Sequence, residues 1–109
     1  MLEGLLDSND AERILFYLSA RERGYGCEIA TFWGTRIYGV QRQLDKLEAG
    51  GIIIASMVGR TRVYSWSPRW PFRDELKALL AKALGFLPDD LRDRLMADRH
   101  RPRRRAKPT

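Results

Sequence analysis

The chain has 109 residues, 44% hydrophobic and 31% charged, enough for one domain with a buried core and too apolar for a disordered polymer. Its net charge of +6 comes from six bases after Asp98 (Arg99, Arg101, Arg103, Arg104, Arg105 and Lys107), since residues 1–98 hold fourteen bases and fourteen acids, so overall basicity is no argument for nucleic acid. One cysteine and one histidine exclude a disulfide framework and a multi-cysteine zinc site, and no cofactor is expected.

No apolar run approaches the roughly 18–20 residues that cross a membrane. The opening Met1-Leu2-Glu3-Gly4 lacks the basic-then-apolar layout of a secretory signal. A cytoplasmic protein without a membrane partner is therefore expected.

In chain order, the first element is a helix over about 11–23, with Ala11, Ile14, Leu15 and Leu18 at i, i+3, i+4 and i+7. Ser8 or Asn9 can cap it, Glu12 stands three after Asn9 as a capping box requires, and Gly24 and Gly26 supply a stop. A short helix follows over about 27–33 and ends at Gly34. The third helix, from Thr35 or Arg36 to Ala49, turns Ile37, Val40, Leu44 and Leu47 inward and stops at Gly50-Gly51. The period then changes. Residues 52–58 are β-branched and short, Gly59-Arg60-Thr61 reads as a turn, and 62–67 alternates, which together predict a β-hairpin. Pro68 and Pro71 end the second strand. Two more helices follow, over about 73–84 with Leu76, Leu79, Leu80 and Ala83 on one face, and over about 89–98 with Leu91, Leu95 and Met96. Residues 99–109, with two prolines and only like charges, read as a disordered basic tail on a 1–98 domain.

Two helices joined by a tight glycine-containing turn make a helix-turn-helix, and a hairpin directly after the second makes it a winged helix. The fold class expected is mainly α with a small β-hairpin, a winged helix-turn-helix with extra C-terminal helices. Tyr25, Glu28, Ile29, Ala30, Trp33, Gly34, Gly39, Val40, Gln41, Arg42, Leu44, Leu47, Glu48, Gly50 and Ile52 stand in the register of a known pattern. In these positions the chain, over about residues 5–80, resembles the ArsR-like superfamily of prokaryotic winged-helix transcriptional regulators. That resemblance implies a homodimer reading two half-sites of double-stranded DNA. It departs from the family at Arg36, where Ser or Thr is usual, and Cys27 and His100 stand alone where metal-sensing members carry ligand sets.

If the third helix buries Ile37, Val40, Leu44 and Leu47, its outer face carries Arg36, Tyr38, Gln41, Arg42, Asp45 and Lys46. Base contacts come mostly from the N-terminal half of such a helix. Arg36, Tyr38, Gln41 and Arg42 are the expected readers, because Arg matches guanine O6/N7 and Gln matches adenine N6/N7. Lys46 is placed on phosphate. At the hairpin tip, Arg60, Thr61 and Arg62 suit backbone or a narrow minor groove. Between Arg36 and Arg69 six bases face two acids, a local excess inside a neutral body.

Two other readings stay open: a nonspecific nucleoid-type binder driven by the tail, and a winged helix that docks a protein through the face of Tyr38. No nucleophile elbow, phosphate loop, paired-cysteine or His-Glu-x-x-His spacing occurs, so no enzyme is expected. The dimer surface is sought among Leu2, Leu5, Leu6, Leu79, Leu80, Leu84, Phe86, Leu87, Leu91, Leu95 and Met96, which could instead fold back on the monomer. Trp33 and Trp66 are expected in the core, Trp70 and Phe72 against it.

Overall fold

A computed structural model describes residues 1–2, 4–6 and 8–97. The basic segment 99–109, and His100 within it, lie outside the described residues.

The first helix, α1 (Asn9–Arg21), starts at Ser8, whose Oγ accepts a hydrogen bond from the Ala11 amide. Glu12 does not close a capping box with Asn9. Its Oε1 instead accepts from the Leu2 amide and lies 3.5 Å from the terminal amine, tying the N-terminus to the helix. The helix ends two residues earlier than the glycines suggest, because Glu22 takes the left-handed conformation (φ 71°) and its amide closes on the Leu18 carbonyl. Gly24 belongs to a short strand, β1 (Arg23–Tyr25), which the sequence reading missed.

Next come α2 (Gly26–Trp33) and α3 (Ile37–Ala49), joined at Gly34, which caps α2 with φ 66°. The Thr35 amide reaches back to the Ala30 carbonyl, closing the turn. Gly26 lets the two helices approach: a Cβ there would lie 2.9 Å from Gln41 Oε1 and 3.1 Å from Ile37 Cδ1. Arg36 is the N-cap of α3 and makes no side-chain cap bond, so the helix begins one or two residues later than expected.

The hairpin is formed by β2 (Ile53–Val58) and β3 (Thr61–Trp66), paired from Ile53↔Trp66 to Val58↔Thr61. Its turn is Gly59-Arg60, with Gly59 at φ 64°, so Thr61 is the first residue of the strand and not part of the turn. β3 also pairs with β1, giving a three-stranded antiparallel sheet in the order β1-β3-β2.

The core joins Ile14, Leu15, Phe16, Tyr17 and Leu18 of α1 to Ile29, Val40, Leu44, Ile53, Tyr64 and Trp66. Trp66 is buried, and its Nε1 donates to the Leu18 carbonyl. Trp33 is only half-buried, donating to the Arg13 carbonyl. Trp70 and Phe72 meet edge to face at 5.7 Å, with Phe72 exposed.

The last helices, α4 (Arg73–Leu84) and α5 (Asp89–Ala97), fold back onto α1. Leu80, Leu84 and Leu95 are therefore core residues of the monomer and drop out of the dimer surface sought in the sequence. Leu79, expected on the apolar face of its helix, is exposed instead. Arg21 holds α5 in place. Its guanidinium donates to the Leu95 and Arg94 carbonyls at 2.9 and 2.8 Å, capping orphan acceptors near the helix end. It also packs over the Tyr17 and Phe32 rings, and Arg94 covers Phe32 as well.

Candidate nucleic-acid interface

The outer face of α3 carries Arg36, Tyr38, Arg42, Asp45 and Lys46, all exposed. Tyr38 stands 71% exposed with the Arg42 guanidinium 5.9 Å from its ring centroid, so an aromatic and a cation project together near the helix start. Ile37 was expected inward but is 42% exposed, because Arg36 ends the turn and places Ile37 at the first, outermost position of the helix. The inward stripe is therefore Val40 and Leu44, with Leu47 partly buried. Arg36, Arg42, Lys46 and Arg60 make no ion pair with any described residue. Arg60 and Thr61 are exposed at the tip of the hairpin.

Gln41 and Arg62 are held differently. Gln41 is half-buried, and its Nε2 donates to Asp45 Oδ1 and to the Tyr64 hydroxyl, both at 3.0 Å. Both amide protons are thus used within the molecule. Arg62 Nε donates to the same hydroxyl at 3.3 Å, and its Nη2 lies 2.8 Å from each oxygen of Glu48. Those two partners, Tyr64 first and Glu48 second, raise the Arg62 pKa above its ordinary value. Gln41 and Glu48 belong to α3, Arg62 and Tyr64 to β3, so a continuous chain of bonds ties the helix to the hairpin.

Glu48 and Tyr64 were not among the site residues expected from sequence. The alternation of β3 places Tyr64 inward, and the tyrosine is 1% exposed. Which helix residues its hydroxyl meets depends on how the sheet crosses α3, which periodicity does not encode. Glu48 stood in the family pattern without a stated role.

Among the described residues, no cluster of three or more His, Cys, Asp or Glu side chains could hold a metal ion, and no helix is long and apolar enough to cross a membrane. Cys27 is exposed at the start of α2.

No protein-family model matches the chain, and no curated protein matches it. Two solved structures do. A doubly substituted form of ZitR from Lactococcus lactis, in the apo form, superposes with a TM-score of 0.55 at 18% identity, covering 75% of this chain and 70% of that one. A second structure of that ZitR variant gives a TM-score of 0.51 at 16% identity, over 83% of this chain and 69% of the other. Likeness at this identity speaks to the fold, and the fold is a winged helix-turn-helix.

Proposed function

We propose that this protein is a prokaryotic, ArsR-like transcriptional regulator that binds double-stranded DNA in a sequence-specific manner, as a homodimer in the cytoplasm. The observation that carries the reading is the set of exposed bases, on two adjacent elements, that make no ion pair with any described residue. Arg36, Arg42 and Lys46 lie on the outer face of α3, and Arg60 lies at the tip of the hairpin. On a body with equal numbers of acids and bases, that local excess marks one side for a polyanion.

In this reading α3 enters the major groove. Arg36, Tyr38 and Arg42 face base edges, and Lys46 meets phosphate. Arg60 and Thr61 rest on backbone or in the minor groove. Gln41 can donate to a base only by exchanging the partners of its Nε2, and Arg62 has only Nη1 left for DNA. The basic residues 99–109 add sequence-independent attraction to phosphates. The fold shared with ZitR supports a DNA partner without specifying the site.

The test is fluorescence anisotropy of the full chain on duplexes from its own upstream region and on a scrambled duplex, with a salt titration. Arg42→Ala is expected to remove roughly 1–3 kcal/mol of discrimination between the two duplexes, the worth of one bidentate base contact. About four phosphate contacts per protomer predict a slope of log K against log salt near −4 for each bound protomer, hence near −8 for a homodimer on two half-sites. Equal binding to both duplexes that disappears without residues 99–109 would instead establish a tail-driven nonspecific binder. Negligible duplex binding would leave a protein-docking winged helix.

A further inference from the structure

From the bond chain between α3 and β3 we propose that Arg62 is a positioning residue, which with Glu48 and Tyr64 locks the wing at a fixed angle to the recognition helix and so sets sequence discrimination. The proposal rests on the DNA reading above and deepens it. Arg62, like Arg60, is a wing guanidinium that sequence alone assigns to backbone or a minor groove, yet here it is already engaged. One Nη lies 2.8 Å from both Glu48 oxygens, and Nε reaches the Tyr64 hydroxyl. Nε and Nη2 are held within the protein, which leaves Nη1 alone for a phosphate oxygen and fixes the direction in which it points. Arg60, at the turn, has no such partner among the described residues, so its whole guanidinium is open to backbone.

The three residues form a lever with a rigid base. Tyr64 is fixed by its buried ring, and its hydroxyl accepts from Gln41 on α3 as well as from Arg62 on its own strand. Glu48 sits near the C-terminal end of the same helix, seven residues from Gln41, so the sheet is held at two points along α3. Arg62 stands opposite Met57, one pair from the tip, so the brace grips the hairpin close to its far end, where Val58 and Met57 are about 60% exposed. A winged helix reads sequence only when helix and wing meet their groove and backbone together, since backbone contacts fix the register in which bases are read. A wing free to swing would still find phosphate, in more than one register. Pre-organising it makes the matched register the favoured one.

Charge-conserving and charge-removing substitutions separate the two roles. Arg62→Lys keeps a cation for phosphate but cannot span Glu48 and Tyr64 with a planar fork. Arg62→Gln removes the cation, and Tyr64→Phe removes only the hydroxyl. A positioning role predicts at least a fivefold loss of discrimination between matched and scrambled duplexes in all three full-length variants. Their salt slopes would equal that of the unmodified chain, and Glu48→Gln combined with Arg62→Gln would be no worse than either alone. A slope shallower by about 0.9 per bound protomer in Arg62→Gln, with Arg62→Lys unchanged in every respect, would show a phosphate contact and overturn the proposal.

Amide hydrogen exchange of the hairpin without DNA supplies the independent readout. The brace predicts several-fold faster exchange over 53–66 in Glu48→Gln and Arg62→Gln, and unchanged exchange in α1. If the unmodified chain binds no duplex, the discrimination role falls with the DNA reading, while the exchange data still report the brace. Unchanged exchange alongside normal DNA binding would overturn the brace alone.

Discussion

Tyr17 shows how much a single position can carry. Its ring projects from α1, fully buried, and meets Phe32 edge to face, and its hydroxyl accepts from Arg21 Nη1 at 2.8 Å. Burial first, and the charge of Glu28 second, push the phenol well above its ordinary value of 10.0. The folded chain therefore keeps a proton that the unfolded chain loses. The associated stability is fully present below pH 10.0 and declines as pH rises from there toward the folded value, at roughly 1.4 kcal/mol per pH unit. Urea unfolding between about pH 9 and 11 should show that decline in the unmodified chain and a markedly flatter dependence in Tyr17→Phe. Equal slopes would mean that the phenol ionises in place. The neighbouring Gly24 explains a feature that sequence reading missed. Its position suggests a helix stop, but a Cβ there would lie 2.6 Å from Tyr17 Cε1, so the glycine is where strand β1 passes the buried ring. The actual stop is Glu22, a residue type with no preference for the left-handed region. Neither fact has a local signature, because both depend on what packs against the backbone.

At the scale of elements, long periodic segments were legible and short or dependent ones were not. The apolar spacing of α1, α3 and α4 fixes their existence, and the switch to β-branched residues after Gly51 fixes the hairpin. Three residues of β1 carry no period at all; they become a strand only because β3 offers an edge. Periodicity also says that α4 and α5 have apolar faces without saying which surface receives them. For α5 the answer lies in Arg21, whose guanidinium donates to two of that helix's carbonyls across more than seventy residues of chain. Arg21→Met keeps the aliphatic stem and removes those donors, along with the cation over Tyr17 and Phe32. The expected cost is about 2–3 kcal/mol, the worth of charged hydrogen bonds whose acceptors are left partly buried. Amide exchange should show residues 89–97 losing protection ahead of α1–α3. A uniform loss across the chain would mean that α5 is held by Leu95 and its apolar neighbours instead. The candidate site divides along similar lines. Exposure of Arg36, Tyr38, Arg42 and Lys46 follows from the period of one helix. The engagement of Gln41 and Arg62 depends on the crossing of two elements, and that had to be seen.

For the whole molecule, what remains outside the core decides how two copies would meet. With Leu80, Leu84 and Leu95 buried, the apolar surface left on the terminal elements includes Met1 (47% exposed), Leu5 (65%), Leu79 (39%) and Phe86 (72%). Leu79 and Phe86 line an open groove of about 350 Å³ with Met1, Leu2, Ala83 and the stem of Lys82. A two-fold contact uses the same patch on both copies, so each residue counts twice. Burying Phe86 at such a contact is worth ~1.5–3 kcal/mol per copy, or ~3–6 kcal/mol for the pair. Phe86→Glu would replace that gain with two like charges facing each other across the axis. Sedimentation equilibrium is then expected to show a homodimer for the unmodified chain and a folded monomer for the variant, with dimer affinity lowered at least a hundredfold. DNA binding supplies the second readout. A dimer on two half-sites about 34–36 Å apart engages both sets of phosphates in one event, so its salt slope is twice that of one protomer, near −8 where a single protomer gives −4. Phe86→Glu should halve the slope on a two-half-site duplex and leave it unchanged on a single half-site. A variant that stays dimeric with an unaltered slope would move the interface away from this groove. An unmodified chain that is monomeric, with the shallower slope on both duplexes, would remove the dimer from the proposed function and leave each protomer reading one site alone.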